Sequence, residues 1–503
     1  MLGLSNTINN SLPRSEDQAA RRPYAVRLAF CGLCAVLAVS GIFTSNGLLT
    51  SAAIAELPLL AYLLWREGEP PVLLFGCFLQ WIQATAAIFY TNHYGMTLEE
   101  AFGGNELTIA TWLSIGAVIT LAVGVRCAFI GSGPSRGQQL EKDAFAVNIN
   151  KIAVLYGVSF IVCGILGTVA WQLPSITQPL LAIASLKWAV VFLLSYAVLH
   201  QRRNYGVLIA CMALEFATGL FGVFSGFKNV FLVFMIAALA SRLALHGRRL
   251  AAISSCVVIL LIMGVVWSAI KMDYRTFLAD EETSSEESIP IERKFSKLAD
   301  LVESVTWQNF EDGMEAMVLR LSYVHYFALA INNVPSHVPY ENGALWAGSV
   351  MHVLTPRLLF PDKPALDDSE RTRLYTGVQV SGTESGTSIG IGYVGESYID
   401  FGPVWMFVPI FLLGLIYGVI NRVFVNRTRY KLIGSALAVS VLIFNAYAIE
   451  TSNIKLVGGV VAAALVAGVL YKLLGATIAN FLRQSPVREP GVRQFAAVSR
   501  SAR

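Results

Sequence analysis

Apolar runs of bilayer-crossing length recur along this chain, and they limit what it can fold into. A run of about twenty apolar residues spans hydrocarbon as a helix, and inside a bilayer only helices or closed barrels pair every backbone N–H and C=O. Read by that length, the sequence holds about twelve spans. They cover residues 28–44, 48–65, 72–90, 107–125, 152–171, 180–199, 205–224, 230–245, 251–270, 403–420, 432–449 and 456–475. The expected fold is an all-α, polytopic membrane helix bundle. Hydrophobic residues make up 55% of the chain and charged residues 14%, and the mean hydropathy is +0.59, far from a soluble domain. The first two spans read as a helical hairpin turning at Ser45-Asn46-Gly47, and Pro58 is tolerated because membrane helices accept proline.

One polar stretch of roughly 130 residues, from about Lys271 to Phe401, interrupts this pattern between the ninth and tenth spans. It divides the chain into a segment 1–27, a bundle of about nine spans at 28–270, a large loop with interfacial helices at 271–402, a bundle of about three spans at 403–475 and a tail 476–503. Lys and Arg residues gather in cytoplasmic loops. With both termini inside, Arg14, Arg21, Arg22, Arg27, Arg66, the stretch 126–151, Arg202, Arg203, the stretches 242–249 and 422–431, Arg483, Arg488 and Arg493 share one side. The opposite loops 92–106 and 172–179 hold neither Lys nor Arg. The large loop then faces outward, as in a multi-pass plasma-membrane protein. The net charge of +4 reflects these anchors, so no nucleic-acid footprint is read from it. No small-residue cleavage site follows the first apolar run, which is expected to stay as an anchor. All seven cysteines lie in or beside spans, which excludes a disulfide-stapled outer domain, and the Cys31–Cys34 spacing reads as two apolar helix positions.

The outward loop has four parts. Glu281, Glu282, Glu286 and Glu287 form a solvated charge run. Residues 291–332 are helical in pattern, with an apolar stripe at Met314, Met317, Val318, Leu321 and Val324 that carries Arg320 and His325. This part is expected to be interfacial or re-entrant. Residues 343–354 are apolar but too short to span, and the prolines from Pro356 to Pro364 stop any helix. A Gly-rich stretch, 381–395, then leads through Glu396, Tyr398 and Asp400 to the tenth span.

At these motifs the chain resembles a known family. Arg320, Gly343, the run Pro356-Arg357-Leu-Leu-Phe-Pro361-Asp362-Lys363-Pro364, Gly386 to Gly390 and Gly395-Glu396-Ser-Tyr398-Ile-Asp400-Phe401-Gly402 resemble the Wzy-type O-antigen and oligosaccharide repeat-unit polymerases of the bacterial inner membrane. The turn Ser225-Gly226-Phe-Lys228-Asn229 is similar to the family's Gly-plus-basic turn, with Lys228 where relatives often carry Arg. The motifs cover the C-terminal half and the topology covers the whole chain. The resemblance implies glycosyl transfer at the outer face: a glycan on undecaprenyl diphosphate moves onto another lipid-linked repeat, releasing the lipid diphosphate. It implies no metal and no cofactor, with membrane lipid as surroundings and a flippase and a chain-length regulator as partners. Basic donors in a water-poor site stabilise the departing diphosphate. Arg320, Arg357, Lys363 and Lys228 are the candidates, with Tyr398 as a glycan contact. The acceptor hydroxyl needs a general base. Glu396, His325, His352 and Asp400 are available for it.

Each candidate has a plainer competing role. Basic residues near an interface reach for headgroups, Glu396 can cap the tenth helix, and His325 can be a packed amphipathic side chain. Asp367-Asp368 is read as a turn rather than a metal site. The run from Gly390 to Gly395 matches G-x-G-x-x-G by letter only and is read as a flexible loop that lets backbone approach a glycan. Glu56, Lys187, Glu215 and Glu450, ionisable residues in or beside spans, point either to a substrate path or to helix-registering pairs. Competing classes are an O-antigen ligase, with the same donor, and a secondary transporter. No repeat relates the two halves, and the loop splits the spans nine and three.

Overall fold

A computed structural model of the chain describes residues 14–131, 133, 137–173, 175–220, 226–241, 258, 261–274, 276–277, 291–357, 359–360, 363, 366–382 and 388–483. The acidic run Glu281 to Glu287, Pro361, Asp362, Pro364, Gly386, Ser225, Cys256, Arg488, Arg493 and the basic stretch 242–249 lie outside them.

Among the described residues the fold is all-helical, with a single isolated bridge between Val147 and Arg483. In chain order the helices are α1 (Arg14–Gly41), α2 (Gly47–Leu64), α3 (Val72–His93), α4 (Leu98–Phe102), α5 (Glu106–Ala128), α6 (Gly137–Ala146), α7 (Ile149–Gln172), α8 (Thr177–Ser185), α9 (Lys187–Gln201), α10 (Tyr205–Leu220) and α11 (Lys228–Ala240). Residues 261–274 form α12. There follow α13 (Ile291–Glu303), α14 (Trp307–Leu321), α15 (Val324–Asn333), α16 (Ala344–Leu354), α17 (Asp368–Thr376), α18 (Tyr393–Trp405), α19 (Phe407–Arg422) with a π-helical extension Val423–Arg427, α20 (Lys431–Ile443) and α21 (Asn453–Leu482).

Seven of these are long and apolar enough to cross a membrane: α2, α3, α5, α7, the α8–α9 pair (Thr177–Gln201), α19 with its extension (Phe407–Arg427) and α21. The pair α14 and α15, bent by 55°, makes an eighth when counted as one broken span. The count of about twelve is therefore corrected. The runs at 28–44, 205–224, 230–245 and 432–449 yield only the shorter apolar helices Arg27–Gly41, Tyr205–Gly219, Lys228–Ala240 and Lys431–Ile443, and the run at 251–270 is described mainly from residue 261. Length is the physical reason. The 13 residues of α11 or of α20 rise about 20 Å at 1.5 Å each, short of a hydrocarbon core of about 30 Å.

The hairpin expected at the N-terminal side is present. Asn46 fixes its turn, its Nδ2 donating to Thr91 Oγ1 at 3.0 Å and to Asn92 Oδ1 at 2.9 Å on α3, while its Oδ1 accepts from the Leu98 amide at 3.0 Å. Helices α5 and α19 approach each other closely. A Cβ on Gly414 would lie 2.2 Å from the Leu121 carbonyl oxygen, and one on Gly124 would lie 2.2 Å from that of Phe411, so both positions demand glycine. Small residues let membrane helices come this near because dispersion contacts, not expulsion of water, hold them.

The polar loop is continuous with the bundle. Val324, Phe327, Ala330, Leu345, Tyr375 and Tyr398 belong to the same buried cluster as the core of α3, α5, α9 and α19. Its helices pack directly on the apolar ones, α15 against α5, α14 against α3 and α16 against α21.

Candidate functional site at the short-helix end

Between α20 and α21, residues 444–452 leave helical geometry while the chain is still apolar. Irregular backbone among membrane helices persists only where protein groups satisfy it. Here buried side chains of the crossing helices do so. Tyr417 donates to the Asn445 carbonyl at 2.6 Å, Gln80 Nε2 donates to the Ala446 carbonyl at 2.8 Å, and Gln83 Oε1 accepts from the Ile449 amide at 2.7 Å. Tyr393, at the start of α18, donates to Gln80 Oε1 at 2.7 Å. Gly392 (φ +91°) presses on this segment so closely that a Cβ would meet the Ile449 carbonyl oxygen at 2.3 Å. Gly392 is thus a chain-packing position, and residues 383–387 of the glycine stretch lie outside the described residues.

The segment carries Tyr447 and Glu450, and charged residues collect around it. Lys228, the first residue of α11, places Nζ 5.7 Å from the centre of the Tyr447 ring. Glu450 and Arg320 both act electrostatically on Lys228 and on Tyr447. Tyr323, in the break between α14 and α15, is flanked by Glu450 and Asp368, and its hydroxyl meets the Gly390 amide. Asp368 is buried and pairs with Lys455 at 2.6 Å, while Lys455 donates to Ser388 at 2.8 Å.

Glu396 lies next in this band. It is 2% exposed, its Oε2 accepts from the Asn453 amide at 2.8 Å at the first turn of α21, and its Oε1 stands 3.8 Å from Arg371 Nη1. Burial pushes its carboxyl up to about 7, and the Asp368 and Asp400 charges add to that. The Asn453 amide and Arg371 oppose it. Beyond Arg371, at the end of α16, stands His352. Burial and then Lys363, Arg357 and Arg371, in that order, hold it down to about 4, so it is neutral at physiological pH with three cations around it.

The structure thus brings together Glu396, Arg320, Lys228, Arg357, Lys363 and His352 along one continuous band, and gives some of them additional work. Lys363 Nζ donates to the Thr355 carbonyl at 2.9 Å and also to that of His352, so it closes the C-terminal end of α16. Asp400 is not brought in as a free base: its two oxygens accept from the Leu345 and Trp346 amides at 3.0 and 2.8 Å, capping the start of α16. Tyr398 is buried against Phe327 and Tyr340 with its hydroxyl donating to the Val334 carbonyl at 3.2 Å, which makes it a packing residue. His325 lies exposed on α15 with its ring edge-on to Tyr326.

Arg371, Lys455, Tyr323, Ser452 and Asn453 are members that sequence reasoning missed. Arg371 sits in the run Asp367-Asp368-Ser369-Glu370-Arg371, which looks like a solvated turn. Instead Asp367 caps α17, accepting from the Ser369 and Glu370 amides at 2.9 and 3.3 Å, and turns Asp368 and Arg371 inward. Helical spacing after an Asp cap was the available signal. Among the described residues, no group of three or more His, Cys, Asp or Glu side chains is placed to hold a metal ion.

Residues 69–455 match the model of a family described as Domain of unknown function (DUF8712), and the chain belongs to that family. No curated protein and no solved structure matches it.

Proposed function

We propose that this member of the DUF8712 family is a membrane glycosyltransferase acting on lipid-linked glycans, of the kind the Wzy-type polymerases represent. The observation that carries the reading is the pairing of a buried carboxyl near neutrality, Glu396, with a basic group of Arg371, Arg357 and Lys363 on its far side. A base whose pKa lies close to the working pH removes a proton most efficiently. Preorganised cations out of bulk water stabilise the charge that develops on a departing diphosphate. In this reading Glu396 takes the proton of the acceptor hydroxyl, and the basic group holds the diphosphate that leaves. Arg320 and Lys228, at the other end of the band, hold the remaining glycan or its lipid headgroup.

Sidedness supports the same reading. With the basic loops in the cytoplasm, the band lies at the outer face of a bacterial inner membrane, where lipid-linked glycans are presented and nucleotide sugars are absent.

The test is the length distribution of surface or secreted glycan from cells lacking the gene, complemented with wild type, Glu396→Gln or Arg371→Ala. Loss of long chains with single lipid-linked repeats still present is the expected result, in the deletion and in both variants at normal protein levels. Unchanged chain lengths in the deletion strain would overturn the reading in favour of transport. Full-length chains that fail to reach their final acceptor would replace polymerase with ligase.

A further inference from the structure

Four buried polar atoms on three residues beside Glu396 have no hydrogen-bond partner: Arg371 Nη1, Asn453 Nδ2 and Oδ1, and Ser452 Oγ. Ser452 and Asn453 are both 0% exposed. Two of the three residues that carry them, Arg371 and Asn453, stand against the Glu396 carboxyl, and the third, Ser452, adjoins Asn453 in the chain. The Asn453 amide donates to Oε2 at 2.8 Å, Arg371 Nη1 stands 3.8 Å from Oε1, and Ser452 precedes Asn453 as the N-cap of α21 without making a side-chain cap bond. An unpaired buried polar atom costs about 1–3 kcal/mol, so a core built only for packing would not gather four.

The chemistry of these atoms narrows the occupant. They offer a guanidinium donor, an amide that both donates and accepts, and a hydroxyl that does either. The charged groups facing the spot are Arg371 and Asp368 from α17, Asp400 from α18 itself, and Lys455 from α21 through its pair with Asp368. An anion would meet the carboxylates and a cation would meet Arg371. A neutral group that donates and accepts at once, an alcohol hydroxyl, suits all four atoms.

We infer that Ser452 and Asn453 bind a hydroxyl of a neutral, polyhydroxylated ligand and aim it at Glu396. This rests on the transfer reading, in which the ligand is the acceptor sugar. The acceptor oxygen forms the new bond to the donor's anomeric carbon as the carbon–oxygen bond to diphosphate breaks. The electron pair leaves with the phosphate oxygen and the hydroxyl proton passes to Glu396. Asn453 accepts no proton in this step and acts by binding and orientation.

The test uses purified full-length protein in lipid nanodiscs, with lipid-linked glycan extracted from the deletion strain, and follows initial release of lipid diphosphate against acceptor concentration. Asn453→Leu is expected to raise KM for the acceptor about tenfold or more, because a site built to hydrogen-bond a hydroxyl loses that discrimination when the partner is removed. Ser452→Ala is expected to raise it about threefold, and a thermal midpoint within the wild-type range certifies folding of each. Wild-type KM in both folded variants would overturn the inference and assign the four atoms to buried water. Wild-type protein that releases no lipid diphosphate would instead remove the transfer reading. A second arm is independent of any donor: D-glucose, D-galactose and N-acetyl-D-glucosamine are tested for protection against thermal unfolding. Protection by at least one, lost in Asn453→Leu, supports the hydroxyl site, and protection by none overturns it.

Discussion

Glu215 and Glu396 are both buried carboxyls facing a basic residue, and their surroundings differ in kind. Glu215 on α10 has a partner for each of its oxygens. Lys187 Nζ lies 2.8 Å from its Oε2, Tyr156 donates to its Oε1 at 3.2 Å, and the ammonium rests over the Trp188 and Phe160 rings at 4.8 and 5.6 Å. Glu396 accepts from the Asn453 amide but holds Arg371 only at 3.8 Å, and side-chain atoms of Arg371, Ser452 and Asn453 beside it are without partners. A satisfied pair fixes helices in register, whereas an unsatisfied one leaves capacity for something that arrives.

The largest effect that would break this contrast is at the closed pair. Glu215→Leu strands the Lys187 cation among apolar groups and is expected to cost about 3–5 kcal/mol, read as a lowered thermal midpoint in detergent. The double variant Glu215→Leu, Lys187→Leu should regain most of it. If the single variant unfolds with the wild-type midpoint, the pair is not structural.

Glu396 is expected to run the other way. Its folded-state value of about 7 lies above the ordinary 4.5, so the folded chain holds the proton more tightly than the unfolded one. The associated stability is complete below about 4.5 and is lost as pH rises through 7, by up to roughly 3 kcal/mol at alkaline pH. Glu396→Gln removes that slope, and thermal midpoints across pH 5–9 for the two proteins measure the difference. Equal slopes would remove the basis for treating Glu396 as a poised base.

In activity the same substitution is expected to slow transfer about a hundredfold at pH 7.5, with glycan length as the readout in cells. The smallest effect sharpens the comparison from the structural side. Tyr156→Phe deletes one hydrogen bond to Glu215 and is expected to cost about 1 kcal/mol without changing glycan length.

Much of this arrangement was written in the order of residue types. Apolar length marked α2, α3, α5, α7, α19 and α21, and the Asn46 turn was visible between the first two runs. Glu396, Arg320 and Lys228 stood out through the motifs in which they occur. The end of α20 was not legible, since the sequence stays largely apolar from Phe444 to Ile449. What holds the backbone after α20 out of a helix is the set of bonds it makes with Tyr417, Gln80 and Gln83, and the two glutamines come from α3, hundreds of residues away in the chain. Asp400 and Tyr398 looked like site residues for the same reason as Glu396, because a motif does not tell which side of its helix faces the ligand space.

By itself the sequence determined that this chain is a helical membrane protein with one polar segment, because bilayer solvation permits little else for runs so long and apolar. Only the tertiary structure decided which helices stop short, that Arg371 and Asn453 converge on Glu396, and that one buried carboxyl is tightly paired while another stands 3.8 Å from its cation. Those outcomes depend on partners brought together across the whole chain, and burial and unpaired hydrogen-bonding capacity exist only once those partners have met.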